Sequence, residues 1–222
     1  HEEIELQAMD FSTYLPEWLA NVPEWRDYYL NHDQINHYEY LKDVLKAMQF
    51  IKGPKKWVLK SPQHLEQIPS ILKTFPDATF AITYRDPLSV VLSTATMLSY
   101  GDRVRRYTVE PKNNFNYWQN RIQILLEKFT NDYKLIPSNQ KIDIFFDDLI
   151  KDNLNSVKKI YSKNSLRFNN LANNEIREYM NSNQRGKHGQ VIYSLEDFNL
   201  DKSEFYQSFK FYFDTFDVLK EI

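Results

Sequence analysis

Three observations predict an α/β fold of short parallel strands with helices packed around them. Two apolar runs, 57–59 and 79–84, flank a stretch of helical periodicity, and strands joined by such a helix are most simply parallel with a right-handed crossover. Each run ends in a cationic or hydroxyl side chain, Lys60 and Ser61 after the first and Arg85 after the second. A third β-rich run, KIDIFF at 141–146, ends in Asp147-Asp148-Leu149 and leads into another helix. Ligands of open parallel sheets bind outside the carboxyl ends of the strands, so two anion-seeking ends there imply a phosphate or sulfate site.

The elements follow in order. Residues 1–50 are helical and rich in aromatics (Phe11, Tyr14, Trp18, Trp25, Tyr28, Tyr29, Tyr38, Tyr40), with Pro16 and Pro23 suited to helix starts or breaks. Ile35, Tyr38, Leu41, Val44, Leu45 and Met48 recur at three- and four-residue steps and mark one buried face. Lys52-Gly53-Pro54-Lys55 punctuates the chain before the strand at 57–59. The next helix places Leu65, Ile68, Ile71, Leu72 and Phe75 on one side, with Pro69 tolerable only near its start. Residues 79–84 lack full alternation, as a strand buried on both faces would. Asp86 then serves as N-cap with Pro87 at the first helical position. Residues 114–130 form an amphipathic helix, 166–179 are mixed helix and loop, and 181–190 are polar. Asp201 and Glu204 form a capping-box pattern ahead of an aromatic helix, FYQSFKFYFDTF.

Composition sets bounds. A chain of 222 residues buries a substantial core, and its formal charge of −2 gives no global basic field for nucleic acid. With no cysteine there are no disulfides, thiolate nucleophiles or sulfur-ligated metals. No apolar run approaches the roughly 18 residues of a membrane span, and the acidic opening HEEIELQAMD lacks a signal-peptide pattern. Only four glycines occur, Gly53, Gly101, Gly186 and Gly189, without the grouping of a phosphate-cradling loop. The chain also opens without a methionine or a strand, so an amino-terminal piece is expected to be missing.

Two constellations carry chemistry. Arg85 leaves a strand as a helix rises beside it, and Ser93 follows eight residues later on the face of Ser89. The pair can fork onto a phosphate; equally, Arg85 can pair with an acid while Ser93 packs. His64 follows Lys60-Ser61-Pro62-Gln63 near a helix start. A neutral histidine beside a cation is a fit general base, and the competing reading is a histidine that caps backbone. Asp147 and Asp148 resemble a helix cap and a solvated neighbour more than metal ligands, and no ligand cluster argues for a metal. The amino-terminal aromatics either line an acceptor pocket or supply core to a helical layer.

These residues resemble the PAPS-dependent sulfotransferases with an LKSPxH element. Trp57-Val58-Leu59-Lys60-Ser61-Pro62-Gln63-His64 is similar to that element, and Phe75-Pro76-Asp77-Ala78 with Arg85-Asp86-Pro87 and Ser93 is similar to the family's RxPxxxxxS motif. The Glu2-Glu3 helix and the helix through Tyr38 resemble the family's lead-in to that strand. Phe145-Phe146-Asp147-Asp148-Leu149 resembles its Y-E-D-L strand end, and Arg185-Gly186-Lys187-His188 with Tyr193-Ser194-Leu195-Glu196-Asp197-Phe198 its late loop and helix.

The resemblance implies a three-layer, P-loop-NTPase-like parallel sheet flanked by helices, here missing the first strand and the phosphosulfate loop. It implies one domain: 1–52 a helical lead-in and acceptor lid, 57–150 a parallel βαβ core, 151–222 a helical part with a cofactor-side loop. It further implies sulfuryl transfer from PAPS (product 3′,5′-ADP) to a hydroxyl or amine of a small-molecule or glycan acceptor. Arg85 and Ser93 would bind the 3′-phosphate, with Arg185, Gly186 and Lys187 from the late loop. Lys60 would be the sulfuryl-side cation and His64 the base. The chain would be a cytoplasmic carboxyl-terminal fragment. The alternative is a non-catalytic module binding the 3′-phosphoadenosine nucleotide or a partner.

Overall fold

A computed structural model describes residues 2–20, 22–184, 186–187, 189, 195, 198 and 200–222. The architecture is mixed α/β: a small parallel sheet and mostly helices. The chain divides into two compact units, residues 1–78 with 131–136, and residues 79–130 with 137–222.

The first unit is helical. It contains α1 (Glu3–Ala8), α2 (Leu15–Leu19), α3 (Pro23–Asn31), α4 (Ile35–Lys52), a 3₁₀ turn at Pro62–Glu66 and α5 (Ile68–Thr74). Pro16 and Pro23 stand in the first turns of α2 and α3, where the missing N–H costs nothing. The predicted face of α4 turns inward through Tyr38, Leu41 and Leu45, and Ile4, Tyr14, Tyr29, Ile68 and Ile71 are the other buried apolar side chains of α1 to α5 and their connections. Tyr14, Tyr29 and Tyr38 are therefore core, whereas Phe11 and Tyr28 remain exposed. The helix expected after His64 is broken at Gln67, because Pro69 sits in the first turn of α5 and cannot continue a helix from upstream.

One strand does not form. Residues 53–61 form no regular element and no ladder, and Val58 is 92% exposed. The three-residue apolar run is bounded by Pro54 and Pro62, and the Lys60 amide goes to a carboxylate instead of a neighbouring strand. The expected pairing of 57–59 with 79–84 is corrected accordingly.

The parallel pair lies in the second unit. There β1 (Phe80–Tyr84) pairs with β2 (Lys141–Phe145) in register from Phe80↔Lys141 to Tyr84↔Phe145. Burial along β1 alternates, with Ala81 and Thr83 exposed, so it is covered on one face and not on both. Helices α6 (Pro87–Asp102) and α7 (Pro111–Asp132) connect the strands; α8 (Phe146–Lys151), α9 (Asn153–Lys163), α10 (Asn170–Ser182), α11 (Lys202–Ser208) and α12 (Lys210–Thr215) follow. Apolar positions of α6 (Leu88, Val91, Leu92, Ala95) are fully buried. Tyr84 carries the aromatic core: its ring centroid lies 5.0 Å from Phe145, 4.9 Å from Phe216 and 6.0 Å from Phe129, and its hydroxyl donates to Asp143 at 2.7 Å. Asp201 caps α11 through Ser203 and Glu204, and the aromatic tail helix bends at Phe209 into α12.

Candidate functional site

In the first unit the candidate residues converge on one carboxylate. His64 donates from Nε2 to Glu3 Oε1 at 2.5 Å, and the Lys60 backbone N–H donates to Glu3 Oε2 at 2.9 Å. Glu3 lies in the first turn of α1, its side chain only 4% exposed. Burial pushes its carboxyl up, but the bond to His64, that residue's charge and the Lys60 amide outweigh burial and hold it below the usual carboxylate range. A carboxylate only accepts, so the hydrogen on this side of the ring belongs to Nε2. The other nitrogen, Nδ1, meets the Tyr38 hydroxyl at 2.7 Å. Burial holds the Tyr38 phenol far above its ordinary value, so it stays protonated, and it is the donor in that bond when the ring is neutral. Both ring nitrogens of His64 are thus engaged by buried partners.

The Lys60 side chain points outward, 71% exposed, with its ammonium on the Glu2 carboxylate. Ser61 is buried beside it, and its hydroxyl has no hydrogen-bond partner among the described residues. Below His64, Gln63 donates to Gln7 at 2.5 Å and accepts from Thr13 at 2.9 Å, so the 3₁₀ turn is anchored by polar contacts 50 and 56 residues away in sequence.

In the second unit the end of β1 passes directly into α6. Asp86, fully buried, caps that helix by accepting from the Leu88 N–H at 3.0 Å. Its second oxygen accepts from the Tyr206 hydroxyl at 2.9 Å and the Glu221 N–H at 2.8 Å. Arg85 lies over the ring of Phe146, 4.1 Å from its centroid. It forks onto Glu221, Nε to Oε1 and Nη2 to Oε2, both at 2.8 Å. Burial raises the Glu221 carboxyl, but the Arg85 bonds and charge, with a bond from Ser89, bring it below its ordinary value. Ser93 stands exposed on α6, one turn beyond Ser89.

The expectations therefore divide. Glu3 brings Lys60 and His64 together, and the strand end presents Arg85, paired with an acid 136 residues away. Gly186 adopts a positive φ of 81°, and the Lys187 ammonium donates to the Ser182 carbonyl at 2.7 Å. Both line a shallow polar pocket with Asn181, Ser182 and Gln184. Arg185 lies outside the described residues, as do His188, Tyr193, Ser194, Glu196 and Asp197. Sequence reasoning assigned no role to Glu3, Glu221 or Phe146, and placed Tyr38 among the aromatics that either line an acceptor pocket or supply core, not beside His64. Their partners are distant in sequence, and the one local hint was the adjacent pair Glu2-Glu3. Among the described residues no cluster of three or more metal-ligating side chains occurs, and no helix is long and apolar enough to cross a membrane.

A sequence model described as the sulfotransferase family matches residues 1–170. The chain belongs to the sulfotransferase family. Two solved structures share the fold of this family member. Sulfotransferase STF9 from Mycobacterium avium superposes with a TM-score of 0.88 at 19% identity, covering 100% of this chain and 57% of that one. Sulfotransferase STF1 from Mycobacterium tuberculosis gives 0.76 at 24% identity, covering 94% and 54%. The family member thus spans little more than half the length of either relative. No curated protein matches it significantly.

Proposed function

We propose that this protein takes part in sulfuryl transfer from PAPS to an acceptor hydroxyl or amine. The observation that carries the reading is family membership over residues 1–170, in a chain whose strand β1 delivers Arg85 to the start of a capped helix bearing Ser93. The finer architecture in this reading is a three-layer, P-loop-NTPase-like sheet to which β1 and β2 belong.

The donor set fits a phosphate. The Arg85 fork already holds two carboxylate oxygens at 2.8 Å. PAPS, when bound, supplies the activated sulfuryl group. In this reading Arg85 and Ser93 hold its 3′-phosphate, and Arg185, Gly186 and Lys187 support it. Lys60 supplies positive charge on the sulfuryl side, where fixed electrostatics do most of the work of group transfer. If His64 is the base, Nδ1 receives the proton, because Nε2 already carries the hydrogen given to Glu3. The acceptor hydroxyl then takes the place of that of Tyr38.

Thermal unfolding with 3′,5′-ADP tests the reading. At about 100 times the dissociation constant, ligand stabilises the fold by about 2.7 kcal/mol. That corresponds to a rise in Tm of about 5–11 °C for a chain of this size. Arg85→Ala removes a charge-assisted contact worth about 1.5–3 kcal/mol and is expected to abolish most of the shift. No shift at millimolar nucleotide overturns nucleotide binding by this chain; a shift unchanged in Arg85→Ala overturns the residue assignment.

A further inference from the structure

The segment after α12 leaves the aromatic core at Phe216 and runs without regular structure to Ile222, largely exposed. Three groups of contacts hold its far end over the carboxyl end of β1. The Glu221 carboxylate fills the Nε–Nη2 edge of Arg85. The Glu221 N–H donates to Asp86, and the Tyr206 hydroxyl, shared with Asp86, reaches the Ile222 carbonyl at 3.1 Å. Lys220 rests its ammonium 4.2 Å above the Tyr206 ring. Between the core and this clasp, Leu219 is 61% exposed.

We propose that Glu221 is an internal occupant of the anion fork, and that its release sets the affinity of the chain for the donor nucleotide. Three features of the geometry support this. The carboxylate uses the two guanidinium donors best arranged for bidentate recognition of a tetrahedral or planar anion. The Ser89 hydroxyl of α6 also favours the ionised carboxylate, so an arginine and a helical serine both act on it, the same donor types the reading above gives to a 3′-phosphate. Finally, an Arg85–Glu221 pair carries no net charge, so an incoming phosphate gains little attraction until the carboxylate withdraws. The clasp is a handful of hydrogen bonds at the end of an exposed segment, the kind of element that opens without unfolding the core. Affinity for the nucleotide is then reduced by the fraction of molecules whose fork is free.

The inference rests on the assignment of Arg85 to the 3′-phosphate, and one titration series separates the two. Isothermal titration with 3′,5′-ADP is run on wild type, Glu221→Gln, Glu221→Ala and Arg85→Ala, each checked for folding by circular dichroism. Release of the occupant is expected to tighten binding about tenfold or more in both Glu221 variants, the fraction of closed forks setting the gain. Arg85→Ala is expected to lose binding. In parallel, amide hydrogen exchange of 217–222 in wild type is expected to speed up when the nucleotide is added, a change that does not depend on any variant. Weaker binding in Glu221→Gln means that Glu221 orients Arg85 for the phosphate, and overturns the proposal while leaving the site intact. Unchanged binding, or exchange that slows on adding nucleotide, also overturns it. Absence of binding in wild type and Glu221→Gln alike removes the phosphate assignment itself, and the proposal with it.

Discussion

Replacing Glu3 by glutamine puts the arrangement around His64 to its hardest test. The carboxylate serves two donors at once, His64 Nε2–H at 2.5 Å and the Lys60 N–H at 2.9 Å. Glutamine keeps the shape but has one acceptor oxygen, so its amide N–H must face one of the two donors. One charge-assisted hydrogen bond, worth about 1.5–3 kcal/mol, is lost, and a buried donor is left opposed by another donor. We expect about 3 kcal/mol of destabilisation in total. At about 2–4 °C per kcal/mol, Tm falls by roughly 6–12 °C. Urea denaturation should show the loss as a lower midpoint at constant slope. In a double-mutant cycle with His64→Ala, the two losses should fall short of additivity by about 1 kcal/mol or more. The pH dependence has a definite sign. The Glu3 carboxyl titrates below its ordinary range when folded, so its stabilisation is complete above the unfolded value, about 4.3 for glutamate. It is lost as pH falls through the folded value, and the gap between wild type and Glu3→Gln should close in acid. A gap under about 0.5 kcal/mol, or one that persists unchanged in acid, would refute the two-donor clamp.

Two further substitutions separate neighbouring contributions. Tyr38→Phe keeps the buried ring but removes the hydroxyl on His64 Nδ1, and should cost about 1 kcal/mol in chemical denaturation. A loss above about 3 kcal/mol would mean that ring packing, not this bond, sets the cost. Asp86→Ala removes the cap of α6 along with the acceptor for Tyr206 and the Glu221 amide, and should cost about 2–4 kcal/mol. Hydrogen exchange at 217–222 should accelerate in the same variant. Wild-type exchange there would show that Asp86 does not hold the segment.

Much of the local structure was legible in the chain. Pro16, Pro23 and Pro87 mark helix starts because a first-turn position needs no N–H, and Asp86 and Asp201 cap because their short carboxylates reach amides two or three residues on. The inward face of α4 follows from its spacing. The run at 57–59 misled because strand character depends on a neighbour to complete the ladder, which three apolar residues between prolines do not reveal. The alternate exposure of Ala81 and Thr83 likewise depends on what covers the sheet.

The candidate site divides along the same line. Residue types and local spacing were enough to single out Lys60, His64, Arg85 and Ser93, and with them the sulfotransferase family, because motifs are written in adjacent residues. Only tertiary structure decided what each side chain touches. Glu3 reaches His64 across 61 positions and Glu221 reaches Arg85 across 136. Partners that far apart leave no periodicity, and a buried charge takes its state from them. The sequence by itself determined that an arginine leaves a strand beside a capped helix; the folded chain alone determined that a glutamate already fills its fork.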